Sequence, residues 1–178
     1  MDDRQAYEFD EFPPFYALGP NFRVAMFDLP QTRLSDEVNG LQVLGWGAHS
    51  PRTTRTTQPA GLLEELTARY GEHPTYEKDH VILWDEPAMR WLQQGLRTGI
   101  ARRARICREL LQQDRWDLFI TYFGETHSAS HFFWHLSQPD HPLGASTKWD
   151  GDPLLEVFQE VDRAVATILE AAPRDATV

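Results

Sequence analysis

One sequence feature restricts the possible folds of this chain more than any other. It is a long amphipathic pattern followed, after a short turn, by a continuous apolar run. Asp85, Glu86 and Pro87 suit a helix start, because acidic groups and an early proline favour the first turn. Apolar residues then recur every three or four positions to about Gln113, which predicts one helix. Residues 118–123 follow as a strand-length apolar run. Together they predict an α/β fold, with a mostly parallel sheet covered by helices on its faces.

Other segments of the chain fit the same fold. The apolar runs at residues 23–29 and 40–46 predict two buried strands. Residues 62–70 predict a short helix that ends at Gly71. Residues 47–59 between these elements are polar, and we expect a surface loop there, with Arg52 and Arg55 either solvated or contacting an anion. Residues 79–84 fit a strand or an extended lead into the long helix.

The two ends of the chain have different patterns. Asp152 and Pro153 form a good start for a last helix that should end near Pro173. The apolar stripe expected on this helix is Leu154, Phe158, Val161, Val165 and Ile168. Residues 175–178 resemble the opening of another strand. We predict an irregular arm at residues 1–21 and a single α/β domain at residues 22–178.

Composition and charge exclude several functional classes. The net charge of −10 argues against nucleic acid as a partner, which normally requires clustered positive charge. The arginines collected between Arg90 and Arg115 fit an exposed helix face. The single cysteine, Cys107, excludes an internal disulfide framework and is expected to be buried and inert. With no apolar stretch of membrane length and no signal peptide, we expect a cytoplasmic protein without membrane partners.

The strongest chemical signal follows the apolar run at residues 118–123. Four of the seven histidines, His127, His131, His135 and His141, lie within fifteen positions beyond Gly124. In a helix, His127 and His131 share one face, and His135 continues the row. Imidazole binds zinc and similar metals, and Glu125 is the candidate for a supporting oxygen ligand or ring acceptor. The residues alone leave two alternatives open, a metal site and a structural histidine cluster.

Three stretches give the chain a resemblance to a known family. They are FDLPQTRLSDEVNGLQVLGWGAHSP, WDLFITYFGETHSASHFFWHL and VFQEVDRAVATILE, in this order. They resemble the type I phosphodiesterase and nucleotide pyrophosphatase branch of the alkaline phosphatase superfamily. The resemblance implies an alkaline-phosphatase-like core, here apparently incomplete, and a divalent metal, zinc or manganese. His131 matches a family metal ligand, and His127 stands where the family usually has Asp.

The matched stretches do not include two parts of the family's active site. The family's Thr or Ser nucleophile precedes the matched region, and its Asp-His-Gly motif follows it. We therefore expect a fragment or split segment of a metal-dependent phosphoester hydrolase, which would need a complementing chain or oligomer to act on a small phosphoester. No catalytic residue is assigned, and little or no activity is expected from the isolated chain. The alternative is a non-catalytic domain of that fold that binds a metal or a partner.

Overall fold

The computed structural model describes residues 14–30, 32–47, 55–76, 78, 84–143 and 149–178. Four strands and four helices lie in this part of the chain, together with two short 3-10 turns. In chain order they are the turn Pro14–Asn21, β1 (Val24–Phe27), β2 (Gly40–Leu44), β3 (Thr56–Gln58), α1 (Leu62–Tyr70), α2 (Glu86–Gln113), β4 (Leu118–Thr121), α3 (Glu125–Phe133), the turn Trp134–Leu136 and α4 (Pro153–Leu169).

The strands form one mixed sheet in the order β3-β2-β1-β4. β1 lies parallel to both β2 and β4, so the predicted α/β fold with a mostly parallel sheet is confirmed. β3 pairs antiparallel with β2, with Thr57 opposite Val43. This strand corrects the prediction of a polar loop at residues 47–59. Its threonines are β-branched and favour an extended backbone next to another strand. Because they are polar, the sequence shows no apolar run that would indicate a strand here.

The sheet carries its helices on one face, which corrects the prediction of helices on both. Ala25 and Phe27 of β1 point to this face and pack in one large core with residues of all four helices. Val24 and Met26 point to the opposite face. There they pack with Leu18 of the 3-10 turn Pro14–Asn21 and with Leu29 and Val38 of the loops. The second face is therefore covered, within the described residues, by a 3-10 turn and loop segments.

The helix starts are set by local side-chain caps. The Asp85 side chain accepts a hydrogen bond from the backbone N–H of Ala88, at 2.9 Å, and starts α2. Asp152 accepts one from the N–H of Leu155, also at 2.9 Å, and starts α4. Each cap satisfies a backbone N–H that has no partner within its helix. The predicted starts of both helices are confirmed.

The buried face of α4 differs from the predicted stripe. Phe158 and Val165 are exposed, and Leu154 and Val161 are only half-buried. Of the predicted stripe, only Ile168 is buried; the other buried residues are Pro153, Val157 and Ala164. Apolar residues occur around much of this helix, so packing against α2 and α3 selects the buried face.

The edge strand β4 is half-buried along its whole length, in contrast to the buried strand predicted there. A groove of about 690 Å³ lies beside it, between the sheet edge and the end of α4. Residues 175–178 line part of this groove and form no strand. Among the described helices, none is both long enough and apolar enough to cross a membrane.

Candidate metal centre

The predicted histidine pair lies on α3, directly after the carboxyl end of β4. Gly124 precedes the helix, and His127 and His131 project from successive turns of one exposed face. Their Nε2 atoms are 3.1 Å apart, and their ring planes are nearly perpendicular, at 83°. The expectation that a helix would place the two rings together is confirmed.

This spacing suits two ligands of one metal ion. Two nitrogens bound at about 2.05 Å to a tetrahedral zinc ion lie about 3.3 Å apart. The observed 3.1 Å is close to that value, and it also fits a hydrogen bond in which one ring donates to the other. Within the described part of the chain, no group of three His, Cys, Asp or Glu side chains could hold a metal ion. The pair therefore fits a metal as two ligands, and water, substrate or another group would supply the rest.

Glu125 lies at the first position of α3 but its side chain points away from solvent. Its Oε1 atom accepts hydrogen bonds from Arg103 Nε at 3.1 Å and from His73 Nε2 at 3.2 Å. The side chains of Glu125, Arg103 and His73 are fully buried. Glu125 therefore serves as an acceptor for α2 and for the segment after α1, rather than facing the surface that carries His127.

Arg103 is the centre of this buried charge cluster. Its Nη2 donates to Asp28 Oδ2 at 2.7 Å, and its Nε donates to Glu125. Its guanidinium also lies 5.3 to 5.6 Å from three ring centroids, those of Phe27, Trp46 and Phe123. The prediction of an exposed face for the arginines of α2 is wrong at this position. Paired carboxylates and aromatic faces compensate for the loss of water around the charge.

The ionisation of the cluster follows from burial and pairing. Burial alone would raise the pKa of Glu125, but Arg103 and the His73 hydrogen bond lower it to about 2. For Arg103, burial would lower the pKa, and the carboxylates of Glu125 and Asp28 raise it above its ordinary value. Glu125 and Arg103 are therefore both charged at neutral pH.

Backbone conformation brings Asp28 into the cluster. Asp28 follows β1 at φ 59°, a left-handed conformation that Asp tolerates better than most residues. Its Oδ1 accepts the N–H of Trp46 at 2.8 Å and so joins the ends of β1 and β2. Gly47 packs against Asp28 and Arg103, and a Cβ at this position would overlap both side chains. The cluster thus depends on a glycine beside the sheet.

His135 and His141 lie apart from the exposed pair in their contacts. α3 ends at Phe133, and His135 falls in the 3-10 turn that follows. His135 is buried, with its ring 5.8 Å from that of Trp84 and 5.9 Å from that of His141. Burial, and then the charge of His141, lower the pKa of His135. These contacts are those of a packed histidine.

The remaining predictions concern the loop arginines, residues 79–83, the N-terminal arm and the cysteine. Arg55 pairs with Glu72 at 2.9 Å and stacks over Tyr76, so its charge is used within the protein. Residues 52 and 79–83 lie outside the described residues, and so does most of the predicted N-terminal arm. Cys107 is buried as predicted, and burial raises the pKa of its thiol to about 12.

The sequence patterns do not identify three charged or titratable residues of the cluster, Asp28, His73 and Arg103. The one available signal was Asp28, a carboxylate at the end of a predicted strand, where α/β proteins often place chemistry. Arg103 was hidden among the other arginines of α2, and His73 stands alone in a loop.

The chain is thus an α/β protein with a histidine pair and a buried ionic cluster at the carboxyl edge of its sheet. No family model matches it, and no match was found among curated proteins or solved structures.

Proposed function

We propose that the chain supplies two histidine ligands to one divalent metal ion in a metal-dependent phosphoester hydrolase. The observation that carries the proposal is the 3.1 Å separation of the Nε2 atoms of His127 and His131 on an exposed helix face. The pair directly follows the carboxyl end of a parallel strand, where ligands of α/β proteins usually bind. The choice of a phosphoester hydrolase rests on the resemblance of the three sequence stretches.

The metal proposed is zinc or manganese, and its role would be to polarise a phosphoryl oxygen or to activate water. Imidazole suits zinc better than manganese, which prefers oxygen ligands, and a zinc site would need at least one further protein ligand beside the two histidines. Neither a nucleophile nor the ligands of a second metal are assigned to residues of this chain. The proposal therefore concerns one half of a site.

Metal titration tests the first step of the proposal. We expect the chelator-treated protein to bind one equivalent of zinc in calorimetry, and His131→Ala or His127→Ala to weaken binding at least about tenfold. His141→Ala is the matched control and should retain wild-type affinity, because His141 contacts His135 rather than the pair. Equal binding by all four proteins would show that the pair is only a hydrogen-bonded contact.

A hydrolysis assay tests the second step. Bis(p-nitrophenyl) phosphate is a general phosphodiester probe, and turnover with zinc or manganese that His131→Ala abolishes would support the hydrolase. Zinc binding without turnover is expected both of an isolated half-site and of the second candidate, a non-catalytic metal-binding domain, so turnover that depends on His131 is the decisive result.

One observation favours this second candidate. Three charged groups at the carboxyl edge are buried, and Arg103 is bonded to both of the others, Asp28 and Glu125. Groups held in this way do not reach a substrate in solvent. A domain with this arrangement would present a metal or a surface to a partner without itself carrying out the reaction.

A further inference from the structure

The histidine pair lies on the side of α3 that faces away from the core. His127 and His131 are exposed, whereas Ser128, Ala129 and Phe132 of the same helix are buried. The two Nε2 atoms are 3.1 Å apart, which suits two ligands of one ion. A metal ion held by this pair would therefore lie at the surface of the protein, where a second protein chain can reach it.

Two imidazoles are half of the ligand set of a closed zinc site. Structural zinc sites have four protein ligands in a tetrahedral arrangement. In such a site with four nitrogen ligands, every two nitrogens are about 3.3 Å apart. Within the residues that the structure describes, no third His, Cys, Asp or Glu side chain forms a metal-binding group with the pair. A second pair with the same spacing would fill the other two positions of the tetrahedron.

Two-fold symmetry can bring two such pairs to one ion. In a symmetric dimer the same surface of each copy meets itself, so an exposed pair on one copy faces the identical pair on the other. An axis through the ion, and between the two rings of each pair, surrounds the ion with four imidazoles. Trp134, seven positions after His127, lies on the same side by helical spacing and is 56% exposed. It offers apolar surface for the contact between the two copies.

The net charge of the chain makes this association depend on the metal. Each copy has a net charge of −10, so two copies repel each other at neutral pH. A divalent cation between them offsets part of this repulsion, because its ligands here are uncharged imidazoles. We therefore expect a monomer without metal and a dimer with it.

We propose that His127 and His131 of two copies of this chain bind one zinc ion and so form a metal-bridged dimer. The inference rests on the proposed metal-binding function of the pair, and it deepens that function by naming a second copy as the source of the missing ligands. A zinc ion with four protein ligands has no position open to water or substrate. The dimer is therefore the non-catalytic state of the site, and any turnover belongs to a single chain with its own ion.

Sedimentation velocity of the chelator-treated protein with added zinc tests this proposal. We expect a monomer without zinc and the largest fraction of dimer at half an equivalent of zinc per chain. More zinc should separate the dimer again, because each pair then has an ion of its own. Calorimetry should show the same two steps within a total of one equivalent per chain.

Variants of the pair connect the dimer to these two side chains. His131→Ala or His127→Ala removes two of the four ligands from every dimer, so dimer formation should weaken at least about a hundredfold. Both positions are exposed, and circular dichroism checks that the variants fold. His141→Ala is the matched control and should dimerise like the wild type, because its ring lies beside that of His135.

The outcomes separate this inference from the proposed function. A dimer at half an equivalent of zinc that both variants lose supports the inference. One zinc ion per chain, with the mass of a monomer at every ratio, overturns it and leaves the proposed metal site intact, since the further ligand then comes from the same chain or from solvent. A dimer that forms without metal, or that His131→Ala retains, also overturns it. A wild-type chain that binds no zinc refutes the proposed function, and the inference with it.

Discussion

Replacing Arg103 with methionine should be among the most damaging single changes in this protein. Arg103→Met keeps an unbranched side chain of comparable length but leaves Asp28 and Glu125 buried without a cation. Breaking a buried ion pair from one side costs about 3 to 5 kcal/mol. The pKa of Glu125 agrees in direction, because Arg103 and His73 lower it although burial raises it. Domains of this size are stable by only about 5 to 15 kcal/mol.

The stability difference between the wild type and Arg103→Met should change with pH in one specific direction. In the wild type the folded-state pKa of Glu125 is lowered, so its contribution is present above pH 4.5 and is lost as the pH falls toward 2. In Arg103→Met, burial without the guanidinium raises the pKa of Glu125 above its ordinary value. Protonation then relieves the buried charge, so the difference in stability between the two proteins should narrow in acid.

Urea denaturation followed by circular dichroism measures both effects, at about pH 7 and about pH 4. The matched control is Arg105→Met, which removes an exposed arginine two residues further along α2 and should change stability by less than about 0.5 kcal/mol. If the two variants differ by less than about 1 kcal/mol at neutral pH, the ion pairs of Arg103 do not stabilise the fold.

Three further predictions concern single positions. Gly99→Ala should destabilise the protein by about 1 to 3 kcal/mol in urea denaturation, because its Cβ would overlap the ring of His73, whereas helix propensity alone predicts a gain of about 1 kcal/mol. Asp152→Ala should lower the free energy of unfolding by at least about 1 kcal/mol, because Asp152 accepts hydrogen bonds from the backbone N–H of Leu155 and from the Ser137 hydroxyl; an unchanged value would show that neither bond contributes. Cys107, with its pKa raised to about 12, should react with a thiol reagent at mildly alkaline pH only after unfolding, and rapid labelling of the folded protein would contradict its burial.

Features that depend on neighbouring residues could be read from the sequence. The starts of α2 and α4 follow from Asp85 and Asp152, whose caps act within one helical turn. His127 and His131 share a face because helical spacing brings together residues four positions apart. The strands β1, β2 and β4 were marked by short apolar runs. These effects are local, so no knowledge of the remaining fold was needed to predict them.

Tertiary contacts decided the features that the sequence left open or indicated wrongly. Six arginines of α2 look equivalent in the sequence, and only the position of Arg103 opposite Asp28 and Glu125 makes its burial favourable. β3 forms because it can pair with the edge of β2, and α4 buries the face that packs against α2 and α3. Each of these depends on partners far away in the chain. Local patterns therefore placed the histidine pair, whereas the charged cluster behind it arose only when distant segments came together.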